Sequence, residues 1–272
     1  MNRVRFRRRA LRDLLRIDSH GHFHDYLFRH AIDRYRAHLC GDVGNSRAED
    51  DLGRVLAIGA NHRDALALAK LPFEQILLTG ISDPDDSMQN ALDGDSRISY
   101  RIENSEQLAL ESRSFDLVFC KESLHHLARP VLGLYEMLRV CRRAALLIEP
   151  YDTTSGRFFE RLGLSTVYET HQAGNLGARD NFVYRFGRRP LEFLLNSYYL
   201  ESNYTLEITL GWMSSRLNAH PLTGVRRLAA LAGWGLGFVP GSRGNYMTAL
   251  ILPGRDLPPD PIAAEDKPID AR

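Results

Sequence analysis

Seven consecutive residues, Cys120-Lys-Glu-Ser-Leu-His-His126, bring a thiol, an amine, a carboxylate, a hydroxyl and two imidazoles to the close of an apolar run. Imidazole titrates near neutrality, so His125 suits general base work on a hydroxyl, and Glu122 is the other candidate for that role. Lys121 is an orienting or electrostatic group. It is one of only three lysines, with Lys70 and Lys267, in a chain that otherwise uses arginine for positive charge. A lysine's point charge does not replace an arginine's planar fork. A second chemical candidate is the turn Gly59-Ala-Asn61, where a glycine lets backbone approach a ligand without a Cβ in the way. A third is Ile17-Asp-Ser-His-Gly-His22 with His24, whose alternate histidines would share one side of an extended segment and could hold a metal.

The elements that must position these groups read as follows. Short apolar runs at 55–58, 75–79, 98–101, 115–120 and 144–148 show little polar alternation, as strands covered on both faces do. The segments 62–70, 85–93, 104–111 and 129–141 suit crossover helices between them. Alternating strands and helices predict a doubly wound, mostly parallel α/β sheet. Right-handed crossovers place every strand's C-terminal end on one edge. Ahead of this, residues 1–16 hold seven arginines and one acid with apolar residues at helical spacing, and 22–40 reads as an amphipathic helix. Beyond 150, residues 153–186 are polar with little periodicity. A helix is expected at 188–200, strands at 204–210 and 246–252, and a helix-like stretch at 223–232. The domain plan is a helical cap over 1–45, an α/β core over 46–152, an insertion with sheet-completing strands over 153–254, and a disordered tail over 255–272.

Composition excludes several classes. The 272 residues are 44% hydrophobic and 25% charged, which rules out disordered and disulfide-framework proteins. Thirty-five basic against 34 acidic residues give a formal net charge of +1, and no global basic field argues for nucleic acid. The basic N-terminus could touch an anionic membrane surface weakly. Three cysteines, Cys40, Cys120 and Cys141, without a CxxC pair fit a reducing, cytoplasmic location and no structural zinc. The histidine-rich segment at 20–24 is followed by a helical pattern rather than the repeated strand–helix units of amidohydrolase barrels, so no metal is assigned.

One composite string is far more specific. Asn104-Ser-Glu-Gln-Leu108 is followed by Ser114-Phe-Asp-Leu-Val-Phe-Cys-Lys-Glu-Ser-Leu-His-His-Leu127, then Pro130, Leu134-Tyr-Glu-Met-Leu-Arg-Val140 and Ala145-Leu-Leu-Ile-Glu-Pro150. Over roughly residues 53 to 152 the chain resembles the class I S-adenosylmethionine (SAM)-dependent methyltransferases, in their small-molecule, type 11-like branch. The resemblance implies a seven-stranded, mostly parallel Rossmann-like sheet with N-terminal helices and a lid insertion. It also implies SAM as cofactor, with S-adenosylhomocysteine (SAH) as its product form. Carried over residue by residue, Gly59, Ala60 and Asn61 stand at the loop around the methionine part of the cofactor. Ser82 and Asp83 stand at the ribose position, and Asn104 and Ser105 at the adenine. Cys120 lies near the reacting sulfur. Departures from the family pattern are Ala57 for an acid, Asn61 and Arg63 for the second and third loop glycines, Ser82 for the ribose acid, and Cys141-Arg-Arg-Ala144 for a Pro-Gly-Gly turn. Asn61 tolerates a left-handed backbone and is expected to keep the turn that way. The resulting expectation is methyl transfer to a small polar acceptor, an oxygen of a sugar-containing or secondary-metabolite substrate. The alternative is a binding or scaffold protein that has lost catalysis.

Overall fold

The computed structural model describes residues 20–41, 51–154, 181–199, 203–211 and 244–254, with positions 157, 161, 168–169, 222, 224–225, 227–228 and 231 between them. The helices are α1 (His20–Gly41), α2 (His62–Ala69), α3 (Asp86–Asp93), α4 (Pro130–Val140) and α5 (Arg188–Tyr198). The strands are β1 (Arg54–Ile58), β2 (Gln75–Gly80), β3 (Ile98–Ile102), β4 (Phe115–Lys121), β5 (Cys141–Pro150), β6 (Tyr168–Glu169), β7 (Asn181–Phe182), β8 (Tyr204–Gly211) and β9 (Tyr246–Pro253). Seven of them form one sheet in the order β3-β2-β1-β4-β5-β9-β8. The pairs β1–β2, β1–β4 and β2–β3 are parallel, with Ile58 beside Cys120 and Gly80 beside Ile102. Strand order therefore reverses between β1 and β4. The crevice outside their C-terminal ends is the topological switch point where open α/β sheets bind ligands.

The sheet forms because its central strands have no polar face to offer water. Val55, Leu56, Ala57 and Ile58 of β1 and Leu117, Val118, Phe119 and Cys120 of β4 are all buried. The helices take their starts from side chains. Asp85 caps α3 by accepting from Met88 N at 2.7 Å, and Pro130 occupies the first turn of α4, where a missing N–H costs nothing. Arg97 closes the far end of α2, donating to the carbonyls of Ala69, Leu71 and Phe73. Hydrogen bonds from Arg97 hold the Asp95 carboxyl below its usual range.

The chain divides into two compact units: residues 46–146, 188–207 and 250–272, and residues 1–45, 147–187 and 208–249. The first holds β1 to β4, α2 to α5 and the candidate site. Burial pushes the Cys141 thiol and Tyr199 phenol of this unit well above their ordinary ranges. In the second, α1 buries Phe28, Ala31, Ile32 and Tyr35, the i, i+3, i+4, i+7 stripe of an amphipathic helix. Two short antiparallel strands, β6 and β7, pair Tyr168 with Phe182 and Glu169 with Asn181. Residues 1–16 and 255–272, and half of the helix expected at 223–232, lie outside the described residues. Among the described residues no helix is long and apolar enough to cross a membrane.

Two local expectations are corrected. Residues 104–111 are not a helix: after β3 the chain forms a short bridged loop, Asn104 opposite Gln107. Side chains from elsewhere satisfy its backbone. Glu136 Oε2 accepts Leu108 N at 2.7 Å, Glu103 Oε2 accepts Ala109 N at 3.0 Å, and Arg139 donates to the carbonyls of Leu108 and Leu110. Strand β5 also begins at Cys141, three residues early. No turn separates it from α4, because Arg142 and Arg143 extend outward as strand residues and both reach Asp116.

The Glu136–Arg139 pair explains why the string Glu-Met-Leu-Arg occurs where it does. Its i, i+3 spacing on α4 stacks a carboxylate and a guanidinium, each about one-tenth exposed, over the 108–110 backbone. Replacing Glu136 by Ala should cost about 3 kcal/mol, because it strands a buried guanidinium and an amide donor together. Urea unfolding would read this directly, with Glu136→Gln retaining part of the loss.

Candidate functional site

The C-terminal edge of the sheet assembles most of the residues singled out above. Gly59 follows β1 with φ +59°, a left-handed conformation that L side chains rarely adopt. A Cβ there would lie 2.5 Å from Ser123 Oγ. That hydroxyl donates to Gly59 O at 2.9 Å, with Lys121 O 3.1 Å away, so the loop after β1 is tied to the segment after β4.

Asn61 does not keep the turn through a left-handed backbone. Its φ is −106° and its ψ 172°, an extended conformation, and it is the N-cap of α2. Its Oδ1 accepts from Arg63 N at 2.9 Å and Asp64 N at 3.3 Å, while Asp64 Oδ2 accepts from Asn61 N at 3.1 Å. This reciprocal capping box satisfies three backbone donors within the loop, and Ala60 N adds a bond to Thr79 O at 3.1 Å. Arg63 has helical backbone and an exposed side chain, so a residue with a Cβ fits where the family has glycine.

Asp64 also pairs with Lys121 through Oδ1 and Nζ, and the two side chains are 5% and 9% exposed. Lysine 121 is the last residue of β4. Glu122 follows with φ +51°, a left-handed conformation costing about 1–2 kcal/mol in a non-glycine residue. Such strain persists where the surroundings impose it, and it marks this corner as special. The chain then makes a 3-10 turn, Leu124–His126. His125 is buried and His126 half-buried, with ring centroids 4.1 Å apart. Cys120 is buried beside Ile58.

At the neighbouring strands, Ser82 and Asp83 are exposed just beyond β2. Tyr100 donates from its hydroxyl to Ser82 O at 2.8 Å and sits against Gly80, where a Cβ would collide with that hydroxyl. Desolvation, then the nearby carboxylates of Asp83 and Asp85, raise the Tyr100 phenol above its ordinary range. Asn104 is exposed and its Oδ1 accepts Glu106 N at 3.0 Å, while Ser105 is buried. Glu106 in turn receives the backbone and guanidinium of Arg129 at 2.6 and 2.7 Å.

The structure thus brings the strand-four residues and the glycine turn together and sets Ser82, Asp83, Asn104 and Ser105 on the same sheet edge. Sequence reasoning missed Asp64, Tyr100, Glu103 and Glu136. Asp64 alone carried a readable signal, an acid three residues after an N-cap asparagine. The metal-like segment at 20–24 has helical backbone, where the motif needs an extended one, and no metal-holding group of His, Cys, Asp or Glu occurs among the described residues.

A doubly wound sheet of this strand order, with a Cβ-free turn after β1, defines the class I methyltransferase fold. Residues 56–148 match the model of the methyltransferase domain family. Among solved structures, the chain is similar to the YcgJ protein of Bacillus subtilis, at 14% identity over 82% of this chain and 99% of that one, with a TM-score of 0.50. A SAM-dependent methyltransferase of Methanosarcina mazei matches at 12% identity over 75% and 93%, also at 0.50. No curated protein matches the chain.

The residues present fit SAM as a cofactor. Gly59, Asn61, Ser82, Asp83 and Asn104 are all exposed along the edge rather than packed into it, and Ser123 lies where a Cβ at Gly59 would stand. Two outcomes follow. Gly59→Ala should weaken SAH binding at least about tenfold by calorimetry and cost about 1–2 kcal/mol of stability, since its Cβ meets Ser123 in a left-handed turn. Asn61→Ala, which removes only the cap, should lower stability by about 1 kcal/mol in denaturant titration.

Proposed function

We propose that this chain is a methyltransferase that passes a methyl group to a small polar acceptor, an oxygen of a sugar-containing or secondary-metabolite molecule. The observation that carries the reading is the Cβ-free, Ser123-braced turn at Gly59, set at the topological switch point of a sheet whose residues 56–148 match the methyltransferase domain.

In this reading Gly59, Ala60 and Asn61 line the methionine part of the cofactor, Ser82 and Asp83 the ribose hydroxyls, Asn104 and Ser105 the adenine, and Cys120 the neighbourhood of the sulfur. When bound, SAM supplies an already activated methyl on a sulfonium. The protein then has two tasks: to hold the acceptor oxygen in line with that methyl, and to take up the hydroxyl proton. Glu122 directly follows β4, and His125 lies buried in the 3-10 turn beyond it. Either can receive that proton, His125 at an imidazole nitrogen or Glu122 at a carboxylate oxygen. Lys121, held by Asp64, acts electrostatically rather than on the acceptor itself.

One feature favours a second reading, a binding protein without catalysis. The loop's own side chains satisfy the amides of Asn61, Arg63 and Asp64, leaving fewer donors for a ligand. Calorimetry with SAH separates the two: micromolar binding supports the enzyme, and no heat at millimolar ligand supports the scaffold. With binding established, transfer of a labelled methyl group from SAM to a panel of hydroxylated metabolites identifies the acceptor. His125→Asn or Glu122→Gln should then cut kcat about 100-fold, the typical share of a general base, while leaving SAH affinity within about threefold. Equal loss of affinity in both variants would mean that they shape the pocket and do not carry the proton.

A further inference from the structure

The Asp64–Lys121 pair is unusual for where it lies. Both side chains are almost fully buried, and they join the first turn of α2 to the end of β4, the two segments that frame the turn at Gly59. Withdrawing two charges from water is expensive and is offset only by good geometry and additional hydrogen bonds. Asp64 has such a bond: its other oxygen accepts Asn61 N. The carboxylate therefore bridges the cap of α2 and the ammonium of β4. An apolar pair would tie the same elements with less desolvation, so mechanical bracing alone does not account for it.

The cofactor supplies the missing reason. SAM carries a positive sulfonium and SAH a neutral thioether, so a fixed charge near the sulfur discriminates between substrate and product forms. An unpaired Lys121 at the end of β4 would repel the sulfonium, and an unpaired Asp64 would attract it. We infer that the Asp64–Lys121 pair is a positioning element that also sets the charge balance of the cofactor pocket, and so fixes the relative affinity for the cationic and neutral forms. This inference rests on the cofactor site proposed above. Asp64 and Lys121 act through the loop and the local field; neither is assigned contact with the reacting atoms.

The test is a set of dissociation constants for two unreactive probes, SAH and sinefungin, a SAM analogue with a cationic amine at the sulfonium position. Binding is measured by calorimetry at one fixed pH for every variant. Asp64→Asn, which leaves the ammonium uncompensated, should raise the sinefungin-to-SAH ratio of Kd values about tenfold. Lys121→Met should shift that ratio about tenfold the other way. Asp64→Glu, which preserves the charge, and the double variant Asp64→Asn/Lys121→Met, which removes both charges, should return the ratio to within about twofold of the starting protein. The double variant also guards against loss of folding in the singles, because it buries no lone charge. If both single variants weaken the two probes equally, the pair is only a brace and the inference is overturned. If the unaltered protein binds neither probe, the cofactor site itself is refuted, a different result from an unchanged ratio.

Discussion

The site depends on the tie between the loop after β1 and the segment after β4. Parallel strands place their C-terminal ends together but do not fix the loops beyond them. Here the fixing is done by three polar contacts: Ser123 Oγ on Gly59 O, Asp64 on the amide of Asn61, and Lys121 on Asp64. The two Asp64 contacts involve buried polar groups that must be satisfied, while the Ser123 contact lies at the surface. The left-handed backbone at Gly59 and Glu122 lies within this set of contacts.

A loop with a single glycine becomes intelligible on this basis. Glycines at three positions would let the backbone turn freely and approach a ligand closely. This chain keeps freedom only where φ is positive and obtains the rest by helix capping. Asn61 ends the turn in extended backbone and starts α2 with its side chain, so Arg63 enters the helix with its own side chain in solvent. The exchange gives up adaptability for rigidity.

The sheet was legible because its determinants are local. Apolar runs of four to six residues with no polar alternation mark strands buried on both faces, and all five expected core strands appear within a few residues of their places. The late strands at 204–211 and 246–253 were readable for similar reasons. The loop after β3 was misread as helix because its backbone groups are satisfied by Glu136 and Arg139, about thirty residues away in sequence, which no local pattern reveals. Asn61 was misread because asparagine serves both left-handed turns and helix caps. The Asp64–Lys121 pair was invisible for a plainer reason: its members are 57 residues apart and meet only once the sheet has formed.

Asp116 has a counterpart role at the opposite end of the strands. One oxygen accepts the amide of Arg54 at 2.9 Å, the other receives Arg142 and Arg143, and Gly53 must lack a side chain to let the carboxylate in. A single anion thus gathers the beginnings of β1, β4 and β5. Loss of that carboxylate would leave three cationic or amide partners at the starts of these strands without their shared acceptor.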